Sequence, residues 1–106
     1  MTYSYVKNRI ADAVLELCTG PGDVRSRLLS ANNETISLID NHFPSELLPL
    51  WLEIHHMLTK HGPAIDFEGK ISEGAIPNTL RKIKNSTGVK ITEKLYKLHR
   101  ELQRKY

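Results

Sequence analysis

The chain has 106 residues, 40% of them apolar and 25% charged, with a formal net charge of +3. That length holds one modest hydrophobic core, and the composition is that of a folded globule rather than of a disordered or fibrous segment. Cys18 is the only cysteine, which excludes an internal disulfide and suits a reducing compartment. Its expected role is that of a small buried apolar residue. Met1 to Lys7 lacks the apolar run of a secretory signal, and the most hydrophobic window, Leu47 to Leu52, is interrupted by Pro49. A membrane-spanning helix needs ~20 apolar residues, so no membrane segment and a cytoplasmic location are expected.

In chain order, Val6, Ile10, Ala13, Val14 and Leu17 recur at helical spacing, which predicts a first helix over residues 3–19. Gly20-Pro21 stops it, the glycine free to take a left-handed cap. Asp23 is a natural N-cap for a second helix, whose inward face is Val24, Leu28 and Ala31. Arg25 and Arg27 point elsewhere. Asn32-Asn33 weakens the pattern, and Thr35, Ile36, Leu38 and Ile39 resume it to His42-Phe43. One bent helix or two short ones are expected between residues 23 and 42.

Phe43-Pro44-Ser45-Glu46 reads as a turn and a new start, with Pro49 early enough to be tolerated. Leu47 to Leu58 is apolar around more than half of the helix circumference, the mark of an element packed on several sides. This third helix, residues 45–61, is the expected centre of the core, with Trp51 in the middle of its apolar arc. Lys60-His61-Gly62-Pro63 ends it. A loop follows, about residues 62–76, with mixed charges and two glycines. Phe67 and Ile71 are expected to tuck against the bundle, and a short extended piece fits Ile65 to Ile71.

The last stretch, Ile76 to Tyr106, carries Ile76, Leu80, Ile83, Thr87, Ile91, Leu95, Leu98 and Leu102 at gaps of three and four, a helical pattern sustained for about seven turns. Gly88 is its awkward position: an interior glycine, or the break between two helices. The predicted fold is thus all-α, one domain over residues 1–106, a compact bundle of four to five helices with a long basic C-terminal helix.

Charge is distributed unevenly. Residues 79–106 hold nine basic and two acidic side chains, and residues 1–78 hold six and ten. Asymmetry of this kind bears on partners rather than on fold. On a helical wheel Lys82, Lys90, Lys97, Arg100 and Arg104 fall in one stripe opposite the apolar side, a row that suits phosphates or an acidic partner. Residues 80–102 also have the outline of a helix-turn-helix. Lys84 and Lys94 stand where such a motif wants a small and an apolar residue, so the match is poor.

No catalytic constellation emerges. Cys18 has no partner histidine nearby in sequence. Gly20-Pro21-Gly22-Asp23 lacks the lysine and hydroxyl of a phosphate loop. Glu53 and His56 share a helix face, but di-iron bundles use that motif twice with two further glutamates. His55 lies at the edge of the apolar arc and is expected to pack there. No cofactor or metal and no enzyme activity are expected. The leading expectation is an interaction or regulatory module that contacts a protein partner or a second copy of itself; nucleic-acid binding through the basic helix is the alternative.

Overall fold

The computed structural model describes residues 3–106. Met1 and Thr2, part of the stretch tested for a secretory signal, lie outside the described residues. The elements are α1 (Ser4–Thr19), α2 (Val24–Thr35), a 3-10 turn (Asp40–His42), α3 (Leu48–Leu58), a hairpin of β1 (Ala64–Ile65) and β2 (Ile71–Glu73), α4 (Ala75–Lys82) and α5 (Asn85–Lys105). The class is all-α, with a long C-terminal helix, as expected. Among the described residues no helix is long and apolar enough to cross a membrane.

The first two helices follow from their spacing. Val6, Ile10 and Ala13 form the buried stripe of α1. Cys18 lies outside that stripe and is exposed, correcting its expected burial. Gly20 ends α1 in an extended conformation, φ −66° and ψ 154°. The left-handed residue is Gly22, at φ +85°, where a glycine avoids the Cβ penalty. Asp23 caps α2 by accepting hydrogen bonds from the N–H groups of Arg25 (3.0 Å) and Ser26 (3.1 Å). The Ser26 bond foremost, then the Arg25 side chain, hold the Asp23 carboxyl below its ordinary value.

Beyond Thr35 the expected helix does not continue. The Thr35 hydroxyl donates to the Asn32 carbonyl at 3.2 Å, and the Ile39 N–H donates to His42 Nδ1 at 3.0 Å. Local side-chain bonds to the backbone compete with the helix, and β-branched Thr35, Ile36 and Ile39 add little helix propensity to oppose them. A turn leads instead to the 3-10 segment. Phe43 then enters the core and stacks on Trp51, with ring centroids 4.8 Å apart, an arrangement aromatic pairs favour.

Helix α3 is shorter than the expected span of residues 45–61. It buries Trp51, Ile54 and Leu58, leaves Leu52 exposed, and ends where the Thr59 hydroxyl donates to the His55 carbonyl at 2.9 Å. It is not the centre of the bundle. That place belongs to α5, which packs on α1, α2 and α3 and buries Gly88, Ile91, Leu95, Leu98 and Leu102. It docks on α3, and α1 and α2 complete the enclosure.

The pattern from Ile76 to Tyr106 is two helices, and the break is not at Gly88. Ile83 (φ −78°, ψ 159°) and Lys84 (φ −79°, ψ 158°) are extended, and the Arg25 guanidinium donates to the Ile83 carbonyl at 3.2 Å. Helix α4 turns away at this joint to pack on α2 and α3. Two buried polar residues hold it there. Asn78 donates to the Gly62 carbonyl at 2.8 Å, and the Thr79 hydroxyl accepts from the His61 N–H at 3.0 Å.

Gly88 lies within the first turns of α5, at the crossing with α2. A Cβ added there would stand 2.9 Å from Val24 Cγ1, closer than carbon atoms pack. Gly88→Ala gains about 1 kcal/mol of helix propensity but overpacks a contact with a stiff β-branched side chain, a cost of about 1–3 kcal/mol. Net destabilisation in urea unfolding is expected. Adding Val24→Ala should restore part of it, with a coupling of at least about 0.5 kcal/mol in a double-mutant cycle.

The Asp23 cap gives a pH signature. A carboxyl whose folded pKa is depressed stabilises the fold above its unfolded value, 3.8, and the contribution fades as pH falls through the lower folded value. Asp23→Ala should therefore lower the melting temperature at neutral pH. The gap to the parent should narrow below about pH 4. Asp23→Asn, which retains a capping oxygen, should lose less.

Candidate interaction surfaces

Helix α5 has its apolar side inside the bundle, which turns the opposite side outward. Lys90, Lys97, Arg100 and Arg104 are exposed on it. Lys90, Lys97 and Arg104 follow one another at seven-residue intervals, two turns each, so they form a row along the axis. Lys90, Lys97 and Arg100 make no ion pair among the described residues. Arg104 reaches Glu101 at 3.6 Å. The other cations of the helix are engaged: Lys94 with Glu53 at 2.9 Å and Lys105 with Glu101 at 3.3 Å. Lys82 is exposed, but it stands on α4 ahead of the extended joint. The single wheel that aligned it with the other four does not apply.

The helix-turn-helix outline is likewise corrected. Its two helices should pack on each other across a short turn. Here the turn falls at Ile83-Lys84, Gly88 is inside α5, and α4 packs on α2 and α3. The position of Lys84, awkward for that motif, is simply an exposed residue of the joint.

A second surface was not legible in the sequence. Where α2 ends early, Ile36 and Ile39 are left 76% and 57% exposed. With Trp51, Leu52, His55 and Ile76 they line an open cleft of about 500 Å³. The walls are mostly hydrocarbon, with Asp40 among the polar lining groups. His55, expected to pack, is exposed.

The hairpin adds a protrusion. Ile65 pairs across the strands with Ile71, and the Asp66 carboxylate closes the turn by accepting from the Glu68 and Lys70 N–H groups, both at 2.9 Å. Gly69 supplies the left-handed residue at φ +81°. The extended piece expected around Ile65 to Ile71 is thus the arms of this hairpin. Phe67 and Ile71 do not tuck against the bundle: they are 98% and 67% exposed. The signal available in sequence was the lack of helical period around them, which marks a segment that the core does not claim.

Among the described residues no three histidine, cysteine or carboxylate side chains converge as metal ligands. The Glu53 carboxylate, half of the Glu53/His56 pair, is instead bonded to Lys94. Tyr106 donates a hydrogen bond to Glu46. That bond, with Glu46's charge beside it, pushes the phenol up to about 12 and ties the end of α5 to the segment before α3. No family model matches the chain, and neither does any curated protein or solved structure.

Proposed function

We propose that this chain is a non-enzymatic helical interaction module that self-associates through the apolar cleft and the hairpin. What supports the reading is the exposure of Ile36, Ile39 and Leu52 on a recess and of Ile65, Phe67 and Ile71 on a projection. Contiguous apolar surface left in water marks a contact site. The same chain carries a recess lined by hydrocarbon and a projection tipped with it, so a second copy has the matching chemistry. Reciprocal insertion would close as a twofold dimer; insertion in one direction only would leave ends open and build chains.

The experiment is the oligomeric state in solution by light scattering and sedimentation, across a range of protein concentration. A dimer that dissociates on dilution is expected. Phe67→Ser and Ile36→Asp, both at exposed positions, should each give a monomer with unchanged helical content by circular dichroism. A parent protein that stays monomeric at every concentration overturns the proposal, as does a dimer that neither substitution weakens.

A further inference from the structure

The outer side of α5 is separate from the apolar surfaces, shares no residue with them, and has its own chemistry. We propose that it binds the phosphodiester backbone of duplex nucleic acid without reading sequence. The cations that carry the contact are Lys90, Lys97, Arg100 and Arg104.

Three observations lead there. The first is rigidity. With Ile91, Leu95, Leu98 and Leu102 buried and α1, α2 and α3 packed on it, α5 cannot turn about its axis, so the row of cations keeps its direction. From Lys90 to Arg104 it extends about 21 Å at 1.5 Å per residue. A duplex offers a negative charge for roughly every 1.7 Å of its axis, so a straight row of that length meets several phosphates.

The second is the state of the neighbouring carboxylates. Glu53 is bonded to Lys94, and Glu101 to both Arg104 and Lys105. Glu46 accepts from Tyr106. Glu93, exposed in the row, is the one acid there that makes no ion pair among the described residues. The cations of the outer face are therefore only weakly offset within the molecule.

The third is the lack of an apolar or aromatic centre on that face. Val89 and Tyr96 are its exposed large apolar residues. Burying a protein partner needs a larger apolar centre, and entering a lipid surface needs an apolar helix face. Stacking single-stranded bases needs a series of aromatics, and Tyr96 is one. Cations alone fit a solvated, regularly charged backbone. Because α5 is flanked by its neighbours, it lies across the strands rather than down in a groove, which leaves base edges unread.

The test uses the full chain and a fluorescent duplex DNA of about 20 base pairs, followed by anisotropy at salt from about 20 to about 200 mM. Four phosphate contacts predict a log–log salt slope near −3.6, so affinity should fall about 100-fold between about 50 and about 200 mM salt. Replacing Lys90, Lys97 and Arg100 together by Gln should bring the slope to about −1. Glutamine keeps helix propensity close to that of lysine, and circular dichroism checks the fold. A control replaces Lys7, Lys60 and Lys70 by Gln, removing the same charge from other surfaces; it should leave most of the slope in place.

No binding at the lowest salt overturns the proposal. So does an equal loss in the two triple variants, which would reduce the effect to net charge. Preference for a single strand of the same length over the duplex refutes the duplex assignment. Binding to vesicles containing phosphatidylserine, with none to DNA, would assign the face to a membrane instead.

Discussion

The close approach of α2 to α5 at Gly88 sets the geometry on which the rest depends. A Cβ on residue 88 would stand 2.9 Å from Val24 Cγ1, so the Val24 side chain fills space that only a glycine at 88 leaves free. Leu28, one turn along α2, then packs into the same crossing, and its side chain is fully buried beside Ile54 and Ile91. In a chain this short the core has few layers. Fixing one crossing fixes the register of the others, because the buried stripe of α5 is continuous from Gly88 to Leu102.

Polar bonds place α4 as apolar packing places α5. Helix α4 brings Asn78 and Thr79 into the interior, 1% and 0% exposed. A buried amide or hydroxyl without a partner costs about 1–3 kcal/mol, so these two discriminate sharply among positions for α4. They are satisfied only where Gly62 and His61 present their backbone. Arg25 adds the third tie at the Ile83 carbonyl. Once α4 is so placed, the chain from Leu58 to Ala75 must leave and return at one end of the bundle, and the hairpin projects from there.

This division explains what was readable beforehand. Spacing of three and four finds the side of a helix that faces in, and α1 and the buried stripe of α5 were visible that way, while the Asp23 cap was visible from its residue type. Spacing does not say what covers the side it finds. The apolar arc of α3 is wide, yet α3 packs mainly on α5 and α4, so part of the arc, Leu52 included, stays in water. Ile36 and Ile39 fit a helical continuation by period alone, while the bonds of Thr35 and His42 that end the helix depend on short-range geometry a periodicity does not encode. The break in the last stretch was in view as the choice at Gly88 between an interior glycine and a joint of two helices. Its location was hidden because Gly88 is the residue that usually ends helices, whereas here it is needed for the α2 crossing and the extended Ile83-Lys84 pair carries the turn. The basic row was legible where one helix carries it, from Lys90 to Arg104, and failed at Lys82, where the wheel ran across that joint.

The two surfaces answer to different forces, and this makes them physically separable. Exposed apolar side chains associate through the release of water, a term that added salt does not screen and that kosmotropic salts strengthen. A row of solvent-exposed cations acts over a Debye length of about 10 Å at 0.1 M salt, and its attraction to phosphates declines with every increase in ionic strength. Contact through the cleft and hairpin would therefore persist under conditions that empty the α5 face. Pairing of copies would also set two cation rows on one particle, so that each row tethers the other near the same duplex and raises its effective concentration. The bundle that hides the apolar side of α5 is what makes this arrangement available: by consuming one side of the helix for folding, it leaves the other with charge and little else.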